Sequence, residues 1–264
     1  MKYFVVDAFT DELFKGNPAG VCLLDKWADD SLLQSIAFEN NLAETAFVVK
    51  NDSGYDLRWF TPETEIDLCG HATLASAFII TNFVDKNTHF TSFSTKSGIL
   101  TVNFVKENEL YEMDFPARKP VKTEINQIVQ KAVNVQITEA YKSRDLLLLV
   151  DTEEQVKNLE INFDILKTYK DCFAFIITAP SSGSEYDFVS RFFAPNAGIM
   201  EDPVTGSSHS TLIPFWAERL NKNKLTAKQL SKRGGILYCE NNEDRVKISG
   251  KAKLYLEGNI KIQY

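Results

Sequence analysis

The chain has 264 residues, 44% of them hydrophobic and 25% charged, the balance of a globular protein rather than a disordered one. Lys plus Arg number 29 against 36 Asp plus Glu, a formal net charge of −7, so the surrounding field repels phosphate backbones and nucleic acid is not an expected partner. No apolar run reaches the length of a membrane span and no charged leader precedes an apolar core at Met1, so no membrane partner and a cytosolic location are expected.

In chain order, the pattern predicts a strand over 2–8, a turn at Gly16-Asn17-Pro18-Ala19-Gly20 and a second strand over 21–24. Leu32, Leu33, Ile36 and Ala37 follow Asp29-Asp30-Ser31 at helical spacing and predict a helix that ends near Asn40-Asn41. Strands are expected over 45–49, 57–60 and 66–68. Gly70 then opens a run over 72–80 that is apolar on every side, so this helix must be wrapped by sheet. Strands over 90–93, 99–105 and 110–115 lead to Pro116-Ala117-Arg118-Lys119-Pro120, the strongest boundary signal in the chain.

Beyond it, helices are expected over 125–131 and 152–159 and strands over 145–150, 174–178 and 188–193. A helix through Leu212, Ile213 and Trp216 should kink or start late at Pro214. Strands over 236–239, 246–248 and 254–264 complete the chain. Cys22, Cys172 and Cys239 fall in apolar, strand-like surroundings and read as buried reduced thiols, and only Cys69 sits beside a glycine turn. Glu63, Glu65 and Asp67 alternate as the solvated face of a strand would. The class is α+β.

The first half is written again in the second. Arg58-Trp59-Phe60-Thr61-Pro62-Glu63-Thr64-Glu65-Ile66 returns as Arg191-Phe192-Phe193-Ala194-Pro195-Asn196-Ala197-Gly198-Ile199, with Arg, Phe, Pro and Ile in the same places. Ser94-Thr95-Lys96-Ser97-Gly98-Ile99-Leu100 pairs with Ser231-Lys232-Arg233-Gly234-Gly235-Ile236-Leu237. Between these pairs, Cys69-Gly70-His71 in one copy and Thr205-Gly206-Ser207-Ser208-His209 in the other each open an apolar stretch. The repeat predicts two similar lobes, residues 1–117 and 118–264, with a site between them that is completed when they close.

The start of a buried helix carries unpaired N–H groups and the positive end of the helix dipole, so Gly70 and Gly206 are candidate carboxylate sites. Thr73, Ser207 and Ser208 add hydroxyl groups there, although a turn capped by Ser or Thr would give the same pattern. Of the three histidines, His71 alone directly follows such a glycine, His209 is expected to point into its helix, and His89 reads as surface. No Cys/His cluster or paired histidine spacing is visible, so a metal is not expected. Dinucleotide, triphosphate and serine-hydrolase loops are absent from the sequence too, which leaves no expected cofactor. Glu44, within Leu42-Ala43-Glu44-Thr45-Ala46-Phe47, occupies an apolar setting that would raise its pKa toward neutrality. Asp202 stands before Gly206 much as Cys69 stands before Gly70.

Phe14-Lys15-Gly16-Asn17-Pro18-Ala19-Gly20, Asn41-Leu42-Ala43-Glu44-Thr45-Ala46-Phe47, Leu57-Arg58-Trp59-Phe60-Thr61-Pro62, Asp67-Leu68-Cys69-Gly70-His71-Ala72-Thr73 and Glu201-Asp202-Pro203-Val204-Thr205-Gly206-Ser207-Ser208-His209 together resemble the phenazine biosynthesis PhzF-like proteins, over nearly the whole chain. The resemblance implies a diaminopimelate epimerase-like fold: two pseudo-symmetric lobes, each a barrel-like sheet around a central helix, with the last strand, about 256–264, returning to the first lobe. It implies a cofactor-free isomerisation by proton transfer, with Glu44 as acid/base and His71 and Asp202 as polar partners. It also implies a carboxylate clamp of Ser207 with the Gly70 and Gly206 turns, joined by Asn17 and Thr73, and a homodimer. The epimerase branch uses one cysteine per lobe, whereas here the second place holds Asp202, so two-thiol racemisation is not expected. An epimerase or racemase working through an unlike pair of groups, and a non-catalytic small-acid-binding protein, stay open as alternatives.

Overall fold

The structure is a computed structural model that describes residues 1–262. It is α+β, and the chain divides into two compact units, residues 1–114 joined by the chain from Ser249 onward, and Phe115–Ile248. The division falls inside a strand, between Asp114 and Phe115, and the chain is again part of the first unit from Ser249.

The first unit contains β1 (Lys2–Ala8), β2 (Asn17–Leu24), α1 (Asp30–Asn40), β3 (Glu44–Asn51), β4 (Gly54–Phe60), β5 (Glu65–Ile66), α2 (Gly70–Ile79), β6 (Phe90–Thr95), β7 (Gly98–Val105) and the start of β8 (Leu110–Pro116). The second contains β9 (Val121–Thr123), α3 (Gln127–Lys131), β10 (Glu139–Lys142), β11 (Leu146–Leu149), α4 (Glu153–Lys157), α5 (Phe163–Leu166), β12 (Phe175–Pro180), β13 (Phe188–Ala194), β14 (Ile199–Asp202), α6 (Gly206–Leu220), β15 (Lys224–Gln229), β16 (Gly235–Asn242) and most of β17 (Arg245–Gly250). β18 (Ala252–Asn259) pairs antiparallel with β1.

The repeat is visible in the strand pairing. In the first unit β2 runs parallel to β3, β3 antiparallel to β4, β4 parallel to β6 and β6 antiparallel to β7. In the second, β11–β12, β12–β13, β13–β15 and β15–β16 repeat that parallel and antiparallel order. A parallel pair needs a crossover, and in each copy one crossover carries the buried helix: α2 between β4 and β6, α6 between β13 and β15.

α2 has no polar face because it packs on β1, β2, β3, β7 and β18, with Ala72, Leu74, Ala75, Ala77 and Ile79 at or below 1% exposure. It runs on into a π-turn, Ile80–Val84. α1 stops at Asn41, which adopts the left-handed conformation (φ 48°) and returns its N–H to Ala37. This ordering of the chain delivers Glu44 three residues later as the first residue of β3.

α6 is continuous from Gly206 to Leu220 and carries Pro214 inside it, so the late start does not occur. Proline has no N–H and leaves the carbonyl four residues back without its helical partner. Here that carbonyl is Ser210 O, and it accepts the backbone N–H of Arg118 at 2.8 Å. A neighbouring strand connection replaces the missing bond.

The three-carboxylate strand is not observed. β5 holds only Glu65 and Ile66, and Glu65 turns inward to a bidentate pair with Arg58 (2.7 and 2.8 Å). The Arg58 hydrogen bonds hold its carboxyl down at about 2. Arg191 makes the same pair with Glu201 (2.6 and 3.0 Å), and each arginine lies over a phenylalanine ring, Phe60 and Phe193. Cys22 and Cys239 are buried in strands, but Cys172 lies in a bend and is only half-buried. The last strand ends at Asn259, and the final two residues of the predicted strand lie outside the described residues. No helix among the described residues is long and apolar enough to cross a membrane.

Candidate active site

In the first unit, the start of β3 and the start of α2 bring three reactive side chains together. Glu44 Oε2 lies 3.0 Å from His71 Nε2, and on the other side of the ring His71 Nδ1 lies 3.5 Å from Cys69 Sγ and 3.3 Å from the Asn17 amide nitrogen. Glu44 is 8% exposed, Cys69 6%, His71 5% and Asn17 fully buried. A carboxylate and an imidazole so far from water hold each other's charge.

Burial is the largest influence on His71 and favours the neutral ring. Cys69, Glu44 and their hydrogen bonds together outweigh it, so the imidazole pKa lies well above its ordinary value. Burial, then the Glu44 charge, pushes the Cys69 thiol up, while the His71 charge and hydrogen bond pull it down. The arrangement is a carboxylate beside an imidazolium, with a thiol behind it.

The expectation that no Cys/His cluster exists is therefore overturned, since Glu44, Cys69 and His71 offer donor atoms within 4.8 Å of one another. Residues 44 and 69 are remote in sequence, and only the packing of β3 against α2 reveals them as neighbours. The ring presents a different nitrogen to each partner, a geometry suited to passing a proton along a line.

Neither buried helix start has a side-chain cap. In α2 the Thr73 hydroxyl instead donates to its own helix at Cys69 O (2.5 Å), leaving only its oxygen lone pairs for a ligand. In the second unit the Thr205 hydroxyl, the natural cap of α6, donates to Asp202 Oδ2 (2.5 Å). The first N–H groups of both helices thus lack the capping oxygen that a simple Ser/Thr turn would supply. Ser207 is half-buried, and the Arg144 guanidinium reaches its hydroxyl at 3.4 Å. Ser208 turns back to Thr205 O and is not directed outward.

Gln229 is a residue the sequence reading missed. Fully buried at the end of β15, it donates to Asp202 O (2.7 Å) and accepts from Thr205 N (2.9 Å), fixing the turn that holds Asp202. Its signal was the alternation of inward Leu225, Ala227 and Gln229, weak because the inward set contains one small and one polar residue.

His209 points into its helix, with Nδ1 2.8 Å from Thr205 O, and burial pushes its pKa down to about 4. The folded protein resists protonation here while the unfolded chain accepts it at about 6.5. This share of stability is full above about pH 6.5 and is lost as pH falls through about 4. Urea unfolding of His209→Gln at a series of pH values should show a flatter loss across that window, and a slope equal to the wild-type one would contradict the assignment.

The comparisons with known proteins agree on kinship. The family model described as phenazine biosynthesis-like protein, PhzC-PhzF, matches residues 6–258. An uncharacterized isomerase of Pseudomonas aeruginosa is 48% identical over 257 residues, covering 97% of each chain. The crystal structure of a PhzF-family phenazine biosynthesis protein from Enterococcus faecalis superposes with a TM-score of 0.95 at 47% identity, covering 99% of both chains. A probable proline racemase from Agrobacterium radiobacter shares the fold alone, with a TM-score of 0.65 at 8% identity over 99% of this chain and 93% of its own. The chain belongs to the phenazine biosynthesis-like PhzC-PhzF family.

Proposed function

We propose that the protein is a cofactor-independent isomerase of a small carboxylic acid, cyclic acids included, with Glu44 as the group that moves the proton. The Glu44 carboxylate takes a proton from one carbon and returns it to another, so electrons and atoms balance without a redox partner. The observation that carries this reading is the 3.0 Å approach of Glu44 to a buried His71. The imidazolium stabilises the carboxylate before it takes the proton and again once the proton has been returned. Membership of the family and kinship to a protein named as an isomerase support the class.

On the first unit, Asn17 steadies His71, while Gly70 and Thr73 form the uncapped helix start. On the second, Asp202, Gly206 and Ser207 take the roles that the resemblance gives them, a polar partner and a carboxylate clamp. The test is a panel of small cyclic and acyclic carboxylic acids followed by NMR. Binding without any rearrangement or exchange would leave a small-acid-binding protein instead. The homodimer is part of the proposal, and a monomeric mass in light scattering would remove it.

One observation favours a second reading, an epimerase of a chiral amino or hydroxy acid. Cys69 and Glu44 flank the same ring and could act as an unlike pair of acid and base. Its mark would be α-carbon exchange abolished by Cys69→Ser, whereas the isomerase reading predicts that Cys69→Ser retains activity.

A further inference from the structure

The second unit holds two arginines tied to the start of α6. Arg144 is committed to Asp145, which is fully buried, through a bidentate pair at 2.9 and 2.8 Å, and lies 4.8 Å from the Phe173 ring centre. The same guanidinium reaches Ser207 at the start of α6. Arg118 is tied to that helix too, through its N–H to Ser210 O, the carbonyl that Pro214 leaves open.

Arg118 is half-buried and its Nη1 is shielded from water with no hydrogen-bond partner. Its cation is disfavoured by burial and by the Arg144 charge, against the attraction of Asp145. Arg144 at Ser207 and Arg118 at Ser210 thus both stand by the uncapped start of α6, and the two cations and the helix dipole draw an anion. An unmet buried donor next to a like charge costs stability unless something accepts from it.

We propose that Arg118 and Arg144, with the Ser207 hydroxyl, form a binding site for an oxyanion group, the carboxylate or phosphate of a small molecule. The planar fork of Arg118 supplies the donors and Arg144 stays locked by Asp145, so the site is already assembled before the ligand arrives. This goes beyond the proton-transfer reading: it shares Ser207 with the proposed carboxylate clamp but rests on Arg118 and Arg144, and it does not need Glu44 to move a proton.

The test is calorimetric titration with inorganic phosphate at constant ionic strength, with thermal unfolding in parallel. Wild-type protein should bind saturably and gain melting temperature, and Arg118→Met should weaken phosphate by about tenfold or more. Without phosphate, Arg118→Met should melt no lower than wild type, because it removes an unpaired charge and not a partner. Arg118→Lys, which keeps the charge but loses the fork, should fall between them and covers the case in which the methionine variant does not fold. Glu44→Gln should bind phosphate as wild type does, which separates failure of this site from failure of the isomerase reading. Displacement of phosphate by succinate assigns the site to an acid group of a substrate, and no displacement assigns it to free phosphate. Equal phosphate affinity in wild type and Arg118→Met, or no saturable binding by wild type, would overturn the proposal.

Discussion

Glu44→Gln should turn over any proven substrate about 10² to 10⁴ times more slowly than wild type, the usual contribution of a positioned general acid or base. The substitution preserves shape and removes only the ability to accept a proton, so KM should change little while kcat falls. It should also lower the His71 pKa. The carboxylate 3.0 Å from Nε2 is one of the charges that hold the imidazolium in place against burial. With it gone, a ring that its neighbours hold in the charged form should give way to one that titrates nearer its ordinary range, readable by ¹⁵N NMR of the imidazole. The linked stability has a defined sign. Because the folded pKa is raised, the His71 contribution is complete below the unfolded value of about 6.5 and disappears as pH rises through the folded one. Glu44→Gln should weaken that alkaline loss. Undiminished kcat in this variant would remove Glu44 from the chemistry.

The second large effect concerns the loop that presents Asn17 to His71. Gly16 has φ +64°, and a Cβ placed there would stand 2.1 Å from the Ala8 carbonyl oxygen and 2.7 Å from the Thr10 methyl. The oxygen belongs to the backbone of β1 and cannot step aside. Gly16→Ala should therefore cost about 2–4 kcal/mol, combining left-handed strain with the clash, and lower the melting temperature by roughly 5–15 °C. Gly98→Ala is the matched control, for its φ is +93° but nothing lies within 4 Å of the added Cβ. It should show only the backbone strain, on the order of 1 kcal/mol. Equal losses in the two variants would mean that the Ala8 contact is not the cause.

What was legible in the sequence follows from which signals are local. The run Ala72 to Ile79 has no polar side, so a helix wrapped by sheet could be read directly, and the internal repeat has its counterpart in strand pairings that recur in one order. β15 escaped notice because its inward residues, Leu225, Ala227 and Gln229, make a poor hydrophobic stripe. The late helix start at Pro214 fails because the group that answers Ser210 O, the Arg118 N–H, lies almost a hundred residues away in the chain and leaves no local signal. Glu65 reads as solvated surface for a similar reason, since alternation cannot reveal an arginine on the next strand. The candidate site was half legible. Glu44, His71 and Cys69 each stood out, but their contact is a product of tertiary packing.

The most direct measurement of the central claim is isotope exchange in heavy water, with wild type and Glu44→Gln incubated against carboxylic acid substrates and carbon-bound deuterium read by mass spectrometry and NMR. A carboxylate that shuttles a proton between carbons equilibrates with solvent in a fraction of its turnovers. Wild type should place deuterium at the carbon that gains the proton, and Glu44→Gln should lose both exchange and rearrangement together. Exchange that persists at the wild-type rate in Glu44→Gln would contradict the account.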